Sequence, residues 1–390
     1  MDDYRNYTFK KELGSGTYGV VSLMSYHGKL PGDPAGERGI PMGSPAANQA
    51  NELGVMKEEG EATDMKVDSC PPARQLFAVK KIKKQSFSSS SAGSKSKSEL
   101  HGVSIDTVRE IRTLMELTAS SSSSNVIKLH AVFFDSTASV NLVYTYCSYN
   151  LHELIYSPSV KLSKEHVRYI CGCMAAGVKT IADHGFCHRD IKPENVLITS
   201  SNDVQICDFG LCRPVSAPGC GMSHEAVTVW YKPPEMLLES RYYKNPDVYS
   251  LGCTMSEVYS KKVLCPGEEG SLRQLECIFN TLGGMEDWEG FKEMPLAFRG
   301  VKWRMDEQYT FDKNGKTVGS VEGEKNVFKP LVYSLYPSKK DEMFLDLVLS
   351  CTRTNPSARC SIDEALAHDW WKGDVCKRED LPRLAKEELR

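Results

Sequence analysis

β-branched and aromatic residues gather in short runs early in the chain, at Thr8 to Leu13, Val20 to Tyr26, Gln75 to Ile82, Val126 to Phe134 and Val140 to Tyr146. Each run predicts a β-strand. Beyond about residue 147 the apolar positions recur every three or four residues, the spacing of amphipathic helices. Strands first and helices afterwards predict an α+β fold of two lobes, with a cleft between them as the natural binding site. One helical pattern interrupts the strands. Ser104 to Thr118 is amphipathic, with Ser104 as N-cap and Asp106 in the first turn. Its Glu110 has Leu114 and Leu117 at i+4 and i+7, so the carboxylate shares the apolar face, and no Lys or Arg occupies its i±3 or i±4 positions. That carboxylate needs a cation from elsewhere in the fold.

Three stretches break the pattern. Residues 28–74 mix Gly, Pro, Ala and Asn with an acidic patch, Ser86 to Ser98 is almost entirely Ser, Lys, Ala and Gly, and residues 301–329 are polar around an Asn314-Gly315 turn. These compositions predict insertions and a serine-rich surface loop. The remainder divides into a lobe over 1–146 and a lobe over 147–390. Composition adds limits. With 41% hydrophobic and 25% charged residues and a net charge of -3, the chain has no broad basic field for nucleic acid. Neither a signal peptide nor a span of membrane length is visible, which predicts an intracellular protein of nucleus or cytoplasm. The fourteen cysteines show no zinc spacing, and Cys171, Cys173, Cys207 and Cys253 lie in apolar runs as small hydrophobes.

The candidate chemistry follows in chain order. Gly14-Ser15-Gly16-Thr17-Tyr18-Gly19-Val20-Val21 places three glycines where backbone N–H groups can approach phosphates. A strand follows them, whereas a dinucleotide fold would place a helix there. In Leu76 to Ile82, strand alternation puts Leu76, Ala78, Lys80 and Ile82 on one face, so the Lys80 ammonium shares apolar surroundings and needs anions. A nucleotide's phosphates and Glu110 would supply them. His188-Arg189-Asp190-Ile191-Lys192-Pro193-Glu194-Asn195 offers a carboxylate to accept a hydroxyl proton, Asp190, and an oxygen ligand for Mg²⁺, Asn195. Asp208-Phe209-Gly210 supplies a second hard ligand, Asp208. The order glycine loop, Lys, Glu, H-R-D, D-F-G is the protein kinase motif set.

With these motifs the chain, apart from its insertions, resembles a eukaryotic protein kinase of the cyclin-dependent kinase family within the CMGC group. The segment Gly102 to Ile111 resembles the helix that grips a cyclin, with altered central residues. Val227 to Glu235 resembles the W-Y-R-A-P-E element, with Lys232 for Arg and Pro233 for Ala; Asp247 to Cys253 resembles D-x-W-S-x-G-C, with Tyr249 for Trp; Arg359 matches the arginine that pairs with Glu235. The resemblance implies a bilobal kinase fold and use of ATP with Mg²⁺. It implies a nucleotide site at Leu13, Gly14, Gly16, Gly19, Val21, Ala78, Lys80, Tyr144, Tyr146, Cys147 and Leu197, with Lys192 and Thr228 joining Asp190, Lys80 and Glu110 in catalysis. It also implies a cyclin-like activating subunit and protein substrates with Ser or Thr before Pro. An upstream kinase would phosphorylate Ser223 against Arg109, Arg189 and Arg213, and Thr17 and Tyr18 match an inhibitory phosphorylation pair. An inactive scaffold of the same fold, a mitogen-activated kinase and a splicing-type kinase are the alternatives. The T-x-Y element of mitogen-activated kinases is absent between Asp208 and Glu235.

Overall fold

The computed structural model describes residues 4–16, 19–27, 75–82, 85–87, 100–120, 125–137, 139–215, 229–238, 246–268, 270–283, 288 and 341–384. The expected insertions at 28–74 and 301–329, and residues 88–98 of the serine-rich loop, lie outside the described residues, as do Thr17, Tyr18, Ser223 and Thr228.

The chain forms two compact units, Met1–Lys84 with His130–Tyr146, and Gln85–Leu129 with Cys147–Arg390. In the first, strands β1 (Tyr7–Gly16), β2 (Gly19–Tyr26) and β3 (Leu76–Ile82) join two later strands, β6 (Leu129–Phe134) and β7 (Val140–Thr145), in a sheet of order β1-β2-β3-β7-β6. The runs expected as strands thus all pair, although the fourth begins at Leu129. Val126 makes an isolated bridge to Ile206 and belongs to the second unit. One sheet face buries Tyr26, Phe77, Val79, Phe133 and Val143. Tyr7 stacks on Phe133 with ring centroids 5.1 Å apart. Aromatic and β-branched residues fill this face, which is why the pattern was readable.

The second unit carries a short strand pair, β4 (Gln85–Phe87) with β5 (Leu100–Gly102), then helix α1 (Ile105–Ser120). Ser86 was expected to begin a loop; it pairs with His101 in this ribbon instead. Ser104 caps α1 by accepting the Thr107 backbone N–H at 3.1 Å. The predicted division after residue 146 does not describe α1. It groups with the second unit because Arg213 Nη2 reaches Asp106 Oδ1 at 3.0 Å, while Asn125 Nδ2 donates to the Val204 carbonyl at 3.0 Å and the Ile127 N–H to the Ile206 carbonyl at 2.8 Å.

Further on come β8 (Tyr149–Asn150), α2 (Leu151–Tyr156), α3 (Lys164–Asp183), β9 (Phe186–Cys187), β10 (Val196–Ile198), β11 (Val204–Ile206), β12 (Arg213–Pro214), α4 (Pro234–Leu237), α5 (Pro246–Ser260) and α6 (Ser271–Leu282). Two more helices, Glu342–Cys351 and Ile362–Leu366, follow. Capping boxes at Asn150 and Ser163 start α2 and α3. Helix α5 is buried from Pro246 to Val258, its polar Asp247, Ser250, Thr254, Ser256 and Glu257 included, as expected for a helix at the centre of a helical layer. Gly252 makes that packing close: a Cβ there would lie 2.7 Å from Thr352 Cγ2 and 2.8 Å from Cys351 Cβ.

Glu235 and Arg359 form a bidentate pair, Nη1 to Oε1 at 2.6 Å and Nη2 to Oε2 at 2.9 Å, with both side chains fully buried. Arg359 Nε and Nη2 also donate to the Arg353 carbonyl, each at 3.1 Å, and its guanidinium lies 5.2 Å from the Tyr249 ring centroid. Removing one member leaves the other charge buried and uncompensated. Arg359→Ala should therefore lower the unfolding free energy by about 3 to 5 kcal/mol. Urea denaturation checks this; a loss under about 1 kcal/mol, the scale of an exposed pair, would contradict it.

Candidate active site

Strand register fixes the expected nucleotide-binding positions within the first unit. Gly14 pairs with Val21, Val21 with Lys80, and Lys80 with Leu142, so these positions lie in one row across four strands. Directly paired residues share a sheet face, which brings the glycine turn and Lys80 together. Alternation along β3 differs from expectation in which face is the core. Phe77 and Val79 are buried, while Ala78 and Lys80 are half-buried and Leu76 is exposed. The larger side chains supply the hydrophobic core, and on the other face Ile82 is buried while Ala78 and Lys80 stay partly accessible. Val21 is half-buried and Leu13 exposed, whereas Tyr144, paired with Ala78, is buried.

The glycines have separate physical reasons. A Cβ at Gly19 would lie 2.2 Å from the Lys81 carbonyl oxygen, so glycine there allows β2 to approach β3. A Cβ at Gly14 would meet nothing within 4 Å. Its surroundings are open, the condition under which backbone can approach an anion.

In the second unit, Asp190 is 9% exposed and receives two donors on Oδ2, Lys192 Nζ at 2.7 Å and Asn195 Nδ2 at 2.8 Å. Asn195 Nδ2 also bonds the Asp190 carbonyl at 2.8 Å. With its amide nitrogen engaged, Asn195 would offer its side-chain Oδ1, not its main-chain carbonyl, to a cation. The Cys207 N–H donates to the Asn195 carbonyl at 2.9 Å, which ties Asn195 to the residue preceding Asp208. The two expected metal ligands are thereby held in adjacent segments, and their hard oxygen donors suit Mg²⁺.

The loop is fixed from beneath. Asp247, at the start of α5, accepts the His188 N–H at 2.6 Å and the Arg189 N–H at 2.8 Å. His188 Nε2 lies 2.9 Å from the Cys207 carbonyl, and its ring packs edge-on against buried Phe209 at 4.8 Å. Arg189 and Asp208 have φ values of 71° and 64°, a region that side chains other than glycine occupy rarely and at some cost. Leu197 is half-buried on β10, between Asn150 and Gln205. Burial pushes the Cys147 thiol up to about 12, with Asp203 adding to the shift.

Glu110 is buried on α1 with Leu114 and Leu117, as its spacing predicted. Lys80 belongs to the first unit and Glu110 to the second. Of the three arginines expected around a phosphate, Arg109 Nη1 and Arg213 Nη2 both reach Asp106 Oδ1, at 3.1 and 3.0 Å. Burial pushes the Cys212 thiol up to about 12, and Arg213 and Arg189 both act on it in the opposite sense.

Three contributors were not apparent from the motifs. Asp247 lies 59 residues from His188 in sequence, and only its match to the D-x-W-S-x-G-C pattern hinted at a role. Lys232 stands where the resembled element has Arg. It is buried, and its ammonium pKa is lowered by burial, with Lys192 and Arg189 adding to the fall and Asp190 opposing it. Glu257, fully buried on α5, accepts from Tyr231 OH at 2.7 Å and Tyr156 OH at 2.9 Å, and its carboxyl is pushed upward by burial.

Residues 60–371 match the protein kinase domain family. The chain is 34% identical to mitogen-activated protein kinase 3 of Oryza sativa subsp. japonica over 280 residues, 70% of each chain. It is 34% identical to mitogen-activated protein kinase 4 of the same plant over 270 residues, 68% of this chain and 66% of that one. A solved structure of the CAK complex from Chaetomium thermophilum bound to ATP-γ-S superposes with a TM-score of 0.67 at 25% identity, covering 98% of this chain and 96% of that one.

Because Asp190 gathers the donors of Lys192 and Asn195, Asp190→Asn should reduce phosphoryl transfer by at least a hundredfold while nucleotide affinity stays within about threefold. Steady-state turnover and nucleotide titration measure the two separately; turnover near wild type would remove Asp190 from the chemistry.

Proposed function

The chain belongs to the protein kinase family, and from that premise we propose that it transfers the ATP γ-phosphoryl group to protein Ser or Thr followed by Pro under control of a cyclin-like subunit. The observation that carries the catalytic reading is the convergence of Lys192 and Asn195 on Asp190 Oδ2. Those donors orient the carboxylate so that Oδ1 can accept the substrate hydroxyl proton. Lys192 then places positive charge beside the transferring group. Gly14, Gly16, Gly19 and Lys80 would bind the phosphates, Glu110 would be the counter-charge that Lys80 needs, and Asn195 and Asp208 would hold Mg²⁺, which would supply charge neutralisation.

Partner control rests on α1. Val103, Ile105, Val108 and Met115 are exposed apolar residues in and just before this helix, while Glu110, Leu114 and Leu117 are buried in it. The exposed group gives a partner an apolar surface on the element that bears Glu110. The similarity to the CAK complex supports the same reading. A second reading, a mitogen-activated kinase working without a cyclin, is favoured by the rice relatives. The absence of T-x-Y between Asp208 and Glu235 counts against it.

Activation would use Ser223. A phosphate of charge about -1.5 to -2 competes with the single charge of Asp106 for Arg109 and Arg213, and with Arg189 it would join α1, the catalytic loop and the activation segment. Phosphate on Thr17 and Tyr18 would instead repel the nucleotide.

The purified chain with Mg-ATP should phosphorylate a Ser-Pro peptide, faster when a cyclin is added, and Ile105→Glu with Val108→Glu should remove that gain. Equal rates with and without a panel of cyclins would favour the mitogen-activated reading. In the partner-bound enzyme, Ser223→Ala should lower kcat/KM at least tenfold, about 1.4 kcal/mol of transition-state stabilisation. Mass spectrometry of the most active fraction showing Ser223 unmodified would exclude this mechanism.

A further inference from the structure

Cys351 and Cys360 lie together away from the catalytic loop, with Sγ atoms 3.7 Å apart. Cys351 ends the helix Glu342–Cys351 and is fully buried, whereas Cys360 is partly accessible. Residues 352–359 form a closed loop between them. The Cys360 N–H donates to the Ser350 carbonyl at 3.2 Å, the Ala358 N–H to the Asn355 carbonyl at 3.1 Å, and the Ser357 N–H to Asn355 Oδ1 at 3.0 Å. The backbone therefore holds the two sulfurs near each other without a covalent bond, and a disulfide needs them to close to about 2.05 Å.

Their chemistry is unequal. The hydrogen bond with Cys351 brings the Cys360 thiol down to about 7, against the opposing effect of burial, while the same bond and full burial push Cys351 upward. The shift favours thiolate on the accessible sulfur over the buried one 3.7 Å away, the arrangement of an attacking and a resolving cysteine. Cys265 and Cys277 share a similar hydrogen bond, and Cys277 is brought down to about 7.

We propose that Cys360 and Cys351 are a peroxide-reactive pair that closes reversibly to a disulfide and staples the loop carrying Arg359. The Cys360 thiolate attacks one oxygen of hydrogen peroxide, the O–O bond breaks, and Cys360 becomes a sulfenic acid as hydroxide leaves and takes up a proton to form water. The Cys351 thiol gives its proton to solvent, attacks the Cys360 sulfur, and the S–O bond breaks to release a second hydroxide, which is protonated to water. Two thiols lose two electrons in all, and one peroxide is reduced to two waters. A dithiol reductant reverses the bond by exchange. The bridge ties Cys360, next to Arg359, to a helix end packed on Gly252 of α5, and so restrains the segment that holds the buried Arg359–Glu235 pair.

Arg353 and Arg359 both lie between the two cysteines, so trypsin cuts the loop. After brief peroxide treatment of the full chain and alkylation, a non-reducing digest should contain peptide 341–353 joined to peptide 360–372, separable by dithiothreitol. Cys360→Ser should abolish the link and leave Cys351 unmodified. Cys351→Ala should let Cys360 proceed to sulfinic acid and should move the pH midpoint of its alkylation upward from near 7. Oxidised wild type should melt at a higher temperature, reversibly, and Cys360→Ser should show no such shift. Cys360 reaching sulfinic acid in wild type while Cys351 stays reduced, or a Cys265–Cys277 link alone, would overturn the pairing; a melting temperature unchanged or lowered by the bridge would overturn the stapling.

Discussion

The carboxylate of Asp247 accepts hydrogen bonds from two backbone N–H groups of the loop, those of His188 and Arg189, and the placement of Asp190 depends on it. Arg189 sits at φ 71°, a conformation with a cost that persists only where surrounding bonds over-determine it. Asp247 supplies two of those bonds, and His188 supplies more by reaching the Cys207 carbonyl and packing on Phe209. The loop therefore turns at Arg189 and presents Asp190 to Lys192 and Asn195. Asp247 can do this because α5 is buried along its length, so its first turn is a rigid support.

Much of this was legible in the sequence. The strands of the first unit, the buried position of Glu110 with Leu114 and Leu117, and the order of the motifs all follow from periodicity and from residue types that chemistry requires. Contacts between segments distant in sequence were not legible. Neither the bonds from Asp247 to the loop nor those joining residues 125–127 to β11 follow from any local pattern, and the latter place α1 with the helical unit. The β3 face failed for another reason: alternation gives two faces, and only the packing of Phe77 and Val79 against Tyr26, Phe133 and Val143 tells which is the core.

Burial divides the charged residues into two kinds with different energetic weight. Glu235 with Arg359 is fully enclosed and bidentate, so it behaves as a fixed structural joint. Asp106 with Arg109 is close to half exposed on both sides, where screening leaves an ion pair worth about 1 kcal/mol or less. A weak pair can be exchanged for a more highly charged partner; a buried pair cannot be broken without leaving a charge in the core.

The same distinction locates where control can act on this fold. Helix α1 bears the buried Glu110, the exchangeable Asp106–Arg109 contact and the exposed Ile105 and Val108. Its buried face holds Glu110 among Leu114 and Leu117, while its exposed face and first turn carry the apolar residues and the ion pairs on which the proposed control would act. A ligand can shift an equilibrium only by its differential affinity for the two states, and α1 carries together an exposed apolar surface, Arg109, the Asp106 that Arg213 of β12 reaches, and the carboxylate expected to pair with Lys80. In the proposed reading, a partner bound on the solvent side would therefore act on the same helix that carries the buried carboxylate.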